Sequence, residues 1–171
     1  MVLSDQEMII RLFTITLLSG LIGLEREYRS KPAGLRTNVM VGLGSTLMTI
    51  ASIKALDLFP EVKGLDPTRI AAQIVTGIGF IGAGAILRPG GENVIGLTTA
   101  ATLWVVSGLG IAIGMGFYLE SFATTVLVFF TFFILSKMVS LVRIYAKSHP
   151  PKELFETDDN GHRGHSEMRE K

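Results

Sequence analysis

The sequence predicts an all-α integral membrane protein of five transmembrane helices, with the amino terminus outside and the carboxyl terminus cytoplasmic. Of its 171 residues, 48% are apolar and only 18% are charged. Soluble domains of this size carry about a quarter charged residues. The charges gather in clusters between long apolar stretches, which is how polytopic membrane proteins distribute them. Five stretches reach the roughly 20 residues that cross a hydrocarbon core of about 30 Å. Continuous runs of that length mean helices, because lipid offers the backbone no hydrogen-bond partner.

The first helix is expected over 7–24. Met1 to Glu7 contains no Lys or Arg, so the basic n-region of a signal peptide is missing and the apolar stretch reads as a retained span. It offers small residues at Thr16, Gly20 and Gly23, while Arg11, like Lys137 in the fifth helix, reads as an anchor that snorkels to the interface. The second helix, 37–56, carries Asn38, Gly42, Ser45, Thr49 and Ser52 at steps of four and three, which keeps all five on one face. Helices in lipid associate through such small and polar residues.

The third helix is expected over 69–88. Asp66 serves as its N-cap, with Pro67 at the first position. Arg69, Gln73 and Thr76 follow on one face. A buried Gln costs free energy unless bonded, so Gln73 either bonds across helices or lines an ion path. Within the same helix GIGFIGAG places Gly77, Gly79 and Gly82 in a dinucleotide-like G-x-G-x-x-G. That fingerprint works only where a strand turns into a helix, so here it means close helix packing or a deformable helix. The fourth helix, 98–118, has small residues at Ser107, Gly110 and Gly114. Only Leu119 and Glu120 separate it from the fifth, 121–144, which predicts a tight antiparallel hairpin. The run VLVFFTFFIL over 126–135 is bulky nearly all round and belongs at the periphery, against lipid.

Five crossings put the termini on opposite sides. Arg26, Arg29, Lys31 and Arg36 fill the first connection, and Lys147, Lys152, Arg163, Arg169 and Lys171 follow the last helix; the second and fourth connections are sparse, with Lys63 the one basic residue clear of a helix end. The positive-inside rule then puts the first and third connections and the carboxyl terminus in the cytoplasm. After Pro150-Pro151 the composition turns polar. Residues 1–149 therefore form the membrane domain, and 150–171, including His162 and His165, a disordered polar tail.

A formal net charge of +1 gives no basic field for nucleic acid, and the absence of Cys removes disulfides and thiolate chemistry. The chain has no P-loop, no Ser/His/Asp set and no HExxH, so neither an enzyme nor a resident cofactor is expected. Two polar groupings remain. At the inner depth, four helix ends bring together Glu25, Arg26, Arg36, Thr37, Asn38, Arg88, Asn93 and Thr98. Such a cluster either clamps helix ends together or holds an anionic lipid or partner. On the outer side stand Arg69, Gln73 and Thr76. A hard cation would want one or two carboxylates. Glu25 alone lies near the inner depth, while Asp57, Glu61 and Asp66 lie in the outer connection, and the sequence assigns no metal ligand.

Three blocks carry a resemblance: GLEREYRSKPAGLRTN (23–38), RIAAQIVTGIGFIGAGAILR (69–88) and NVIGLTTAATLWVVSGLG (93–110). In these the chain resembles the MgtC/SapB family of bacterial inner-membrane proteins, through its first four helices. The resemblance weakens in the fifth and is absent from the tail, which is too short for the ACT-like domain that some members carry. It implies five helices with the amino terminus outside, a role in adaptation to low Mg²⁺, and in intracellular pathogens survival in macrophages. It also implies regulation through membrane partners such as the F-type ATP synthase and membrane potential, although members were long described as Mg²⁺ transporters. Glu25, Arg26, Gly34, Arg36, Thr37, Asn38, Gln73, Asn93 and Thr98 are the motif positions carried over, with Gly34 expected to permit a turn after Pro32. The expected role is therefore modulation of ion and energy homeostasis; the alternative is a transporter or channel for Mg²⁺ or another ion, built as a homo-oligomer that the small-residue faces permit.

Overall fold

The computed structural model describes residues 3–59, 61–62, 64, 66–86, 94–135 and 137–138. Five α-helices follow one another: α1 (Asp5–Tyr28), α2 (Leu35–Leu58), α3 (Thr68–Gly84), α4 (Leu97–Met115) and α5 (Tyr118–Phe130), the last continued by a π-helical turn Thr131–Leu135. No strand occurs among the described residues. α1, α2 and α4 are long and apolar enough to cross a membrane; Tyr118–Ile134 is apolar but shorter, and α3 has 17 residues. The chain divides into two compact units, Met1–Phe132 and Phe133–Lys171. The tail 150–171 with its two histidines, and Lys63, Arg88 and Asn93, lie outside the described residues.

Local chemistry starts and stops these helices. Ser4 caps α1, its hydroxyl accepting from Glu7 N–H at 3.2 Å, with Asp5 and Glu7 in the first turn. Asp66 caps α3: its Oδ1 accepts from the Thr68 backbone at 2.8 Å and from the Thr68 hydroxyl at 2.6 Å. α4 stops at Gly116, whose φ of +91° suits glycine. There Gly116 N–H bonds Ile113 O and Phe117 N–H bonds Ala112 O, both at 2.9 Å, the paired bonds of a Schellman motif. This corrects the expected hairpin: the turn lies at Gly116 and Phe117, and Leu119 and Glu120 already belong to α5. A residue in the left-handed region ends the helix whatever the hydropathy of its flanks.

Consecutive helices alternate in direction. Ser19 of α1 meets Gly42 of α2, and Gly23 meets Leu35, so the pair is antiparallel. α2 and α4 run parallel, since Gly110 meets Ser45 and Gly114 meets Thr49. The small-residue face of α2 is buried throughout: Asn38, Gly42, Ser45, Thr49 and Ser52. A Cβ on Gly110 would stand 2.6 Å from Ser45 Cβ and 2.7 Å from Gly42 O, and one on Gly114 would stand 2.6 Å from Thr49 Cβ. Such approach lets backbones meet where lipid supplies no hydrophobic drive. Polar bonds join in: Thr46 donates to Gly110 O at 2.9 Å, and Ser45 to Ser107 at 3.3 Å. Around this seam Ile15, Leu18 and Ile22 of α1 pack on Val106, Leu109 and Ile113 of α4. α5 is peripheral, with only Ser121 and Thr125 buried along its length.

The glycine run of α3 behaves otherwise than expected. Among the described residues only Gly82 meets another helix, at Ala100, while Gly77, Gly79 and Gly84 have nothing within 4 Å. Close packing within the chain explains one glycine of the motif and leaves the others open.

Candidate functional site

The carboxyl end of α1 carries a carboxylate and guanidiniums within one helical step, and burial turns Glu25 and Arg26 inward. Glu25 and Arg26 are 8% and 4% exposed. Arg26 Nε donates to Glu25 Oε2 at 2.6 Å. Arg29 lies one helical step on and brings its Nε to 2.6 Å from Glu25 Oε1; this is an ion pair rather than an aligned hydrogen bond, because Oε1 has no hydrogen-bond donor among the described residues. The Arg26 guanidinium lies over the Phe132 ring, 3.8 Å from its centroid, and Phe132 is edge-on to Phe129 at 6.5 Å. A buried ion pair needs added contacts to offset desolvation, and here the aromatic face supplies one. Chemically the arrangement is a clamp joining α1 to the segment that follows α5.

The entry to α2 is built beside it. Asn38 is fully buried and donates through Nδ2 to Ala33 O at 2.6 Å and Gly34 O at 2.8 Å, while its Oδ1 has no partner among the described residues. Glu27 accepts from Leu35 N–H at 2.8 Å. Gly34 sits at φ −77°, and the left-handed residue after Pro32 is Ala33, at φ 58°. A Cβ on Gly34 would crowd the Glu27 side chain, 2.7 Å from its Oε2 and 3.2 Å from its Cβ. Arg36, Thr37 and Thr98 are exposed. Of the expected inner cluster, the fold thus buries Glu25, Arg26 and Asn38 and leaves Arg36, Thr37 and Thr98 at the surface. Arg88 and Asn93 lie outside the described residues.

On α3, Arg69, Gln73 and Thr76 are all exposed. Thr76 donates to Ala72 O of its own helix at 3.1 Å. Of the two expected readings for Gln73, the bond across helices is not made among the described residues, where the side chain is exposed. It lines a groove of about 510 Å³ whose walls are Met40, Gly44 and Met48 of α2 and Ile70, Gln73 and Gly77 of α3. Among the described residues no three His, Cys, Asp or Glu side chains stand together as metal ligands would.

Sequence reasoning missed a polar junction at the other end. Arg11 is only 7% exposed. It donates from Nη1 to Gly114 O at 2.5 Å and from Nε to Glu7 at 3.2 Å, and Tyr118 donates to the same Glu7 oxygen at 2.7 Å. The cation thus caps the carbonyl end of α4 and is more than the snorkelling anchor expected. The spacing of Glu7 and Arg11, four apart, was a signal for the pair. Nothing in the sequence singled out Phe132 from the bulky run around it.

Residues 12–141 match the MgtC family. The chain is 46% identical over 122 residues to Protein SapB of Bacillus subtilis (strain 168), covering 70% of this chain and 53% of that one. It is 52% identical over 114 residues to the Putative magnesium transporter YhiD of Escherichia coli (strain K12), covering 66% and 53%. To Protein MgtC of Salmonella typhimurium (strain LT2) it is 45% identical over 120 residues, covering 70% and 48%. The chain spans about half the length of these curated relatives. No solved structure matches it. With its apolar spans, and with most of its length matched, this membrane protein belongs to the MgtC family.

Proposed function

We propose that the chain is a non-enzymatic protein of the bacterial inner membrane that modulates ion and energy homeostasis under Mg²⁺ limitation by contacting other membrane proteins, the F-type ATP synthase among them. In this reading it crosses the bilayer five times, with the amino terminus outside and the carboxyl terminus cytoplasmic, as the basic residues of the first connection favour. The observation that carries it is the closure of the bundle. Gly42, Gly110 and Gly114 leave no room for a Cβ between α1, α2 and α4, and a seam that tight favours a scaffold over a conduit. Lys31, Arg36 and Thr37 stand exposed at the inner helix ends, where a partner or an anionic headgroup can reach them. The magnesium link comes from a relative described as a putative magnesium transporter.

A second reading, a carrier or channel for Mg²⁺ or another ion, rests on the groove between α2 and α3 with Gln73 on its wall. One experiment separates the two: Mg²⁺ entry into liposomes containing the purified, folded protein, read by a trapped dye. The regulator reading expects no flux above empty liposomes, together with a co-purifying membrane partner that Arg36→Ala removes. Saturable flux that Gly44→Leu blocks by filling the groove would overturn it.

A further inference from the structure

α3 turns the wrong side outward for a helix in lipid. Its packed side is marked by Ile78 and Gly82, the two residues it buries. At 3.6 residues per turn, Arg69, Gln73, Thr76 and Phe80 fall about half a turn away from Ile78, in a row of steps four, three and four. All four are exposed, Phe80 at 87%. Polar groups in a membrane helix ordinarily face the bundle interior, where other helices satisfy them. Gln73 stands roughly 8 Å along α3 with an amide that no described residue bonds. Beside the row, Gly77 lines the groove toward α2, so the row itself is the part of α3 that faces away from the packed helices.

We propose that this face of α3 packs against the same face of a second copy of the chain, as a parallel twofold pair. The argument for a second copy, rather than an unrelated helix, is self-complementarity. Gln73 carries both a donor and an acceptor, so its symmetry mate satisfies both. Thr76 donates to Ala72 O of its own helix, and its oxygen still accepts. Asp66 lies one turn before Arg69. Its Oδ1 takes both Thr68 bonds, leaving Oδ2 for the guanidinium of the other copy. Two copies in one orientation related by an axis along the membrane normal bring each Asp66 to the other's Arg69, and the charges cancel in pairs. The proposal rests on the reading above only in requiring α3 to lie in the bilayer.

The chain contains no Cys, so single cysteines report without background. Thr76→Cys and Phe80→Cys are made in the full chain and oxidised in native membranes at low expression. Phe13→Cys on α1 and Phe122→Cys on α5, both exposed positions away from α3, serve as controls. The pair predicts disulfide-linked dimers at 76 and 80 and none at 13 and 122, because a disulfide needs Cα atoms within about 7 Å. Gln73→Leu in the Thr76→Cys background should lower the linked fraction at least roughly 3- to 15-fold, the worth of one of the two reciprocal interhelical bonds it removes. Equal linking at all four positions would mean random collision and overturn the proposal. No linking at 76 and 80 would overturn it too, and labelling with an impermeant maleimide then tells why. Labelling of Phe80→Cys alone marks a water-lined face. Labelling of Phe80→Cys and Val75→Cys alike means that α3 is outside the bilayer and the crossing itself has failed. No labelling marks lipid or a different helix.

Discussion

The α2–α4 seam makes a quantitative claim that a single methyl group tests. In Gly110→Ala the new Cβ would stand 2.6 Å from Ser45 Cβ, 2.7 Å from Gly42 O and 3.2 Å from Thr46 N. Two of those neighbours are backbone atoms, so the helices must separate rather than a side chain rotate. Overpacking of this kind costs about 1–3 kcal/mol. Separation also weakens the 2.9 Å bond from Thr46 to Gly110 O, worth about 0.6–1.7 kcal/mol in a membrane protein. Ala is a better helix former than Gly by about 1 kcal/mol, which opposes both. Gly108→Ala isolates that last effect, because Gly108 lies on the same helix with none of the described residues within 4 Å. The two variants should therefore differ in unfolding free energy by about 2–5 kcal/mol. Unfolding in mixed micelles with rising SDS fraction reads it, with Trp104 of α4 as the sole tryptophan reporter. If Gly110→Ala proves as stable as Gly108→Ala, α2 and α4 are not in contact here and the closed-bundle argument fails with them.

Three further outcomes are expected. Arg11→Leu removes two charged hydrogen bonds, to Gly114 O and Glu7, and should cost about 2–3 kcal/mol in the same unfolding assay; Arg11→Lys should recover only part of it, since an ammonium cannot reproduce the fork, and full recovery would refute the capping role. A double-mutant cycle of Arg26→Met and Phe132→Leu should give a coupling of about 1–2 kcal/mol for the desolvated guanidinium over the ring, whereas additive losses would mean that the two do not interact. The Thr68 hydroxyl and then the Thr68 N–H hold the Asp66 carboxyl below its ordinary 3.8. A folded-state pKa below the unfolded one contributes stability that is fully present above pH 3.8 and is lost as pH falls through the lowered folded value. Asp66→Asn should remove that acid-side decline at the α3 start, read by amide exchange of Thr68 and Arg69, and an unchanged pH profile would refute the assignment.

Much of this protein was legible as pattern. Helix number followed from five apolar runs, because lipid forces the backbone to bond itself. The α2 face of Asn38, Gly42, Ser45, Thr49 and Ser52 was legible because small residues at helical spacing have one use between membrane helices. The Asp66 cap was legible because Asp-Pro at a helix start is local chemistry, needing no knowledge of the neighbours. The sequence also determined that Glu25, Arg26 and Arg29 lie within one helical step.

What only the tertiary structure decided was which groups meet across helices. Phe132 could not be told from the aromatics around it until the fold laid it on Arg26. Arg11 looked like any interfacial anchor until the Schellman turn at Gly116 aimed Gly114 O at it. Gln73 looked buried from its place in an apolar run, yet its exposure depends on which side of α3 meets α2 and α4. Spacing along one helix sets which residues share a face. The direction of that face is set by contacts with other helices, and those depend on packing among chain segments far apart in sequence.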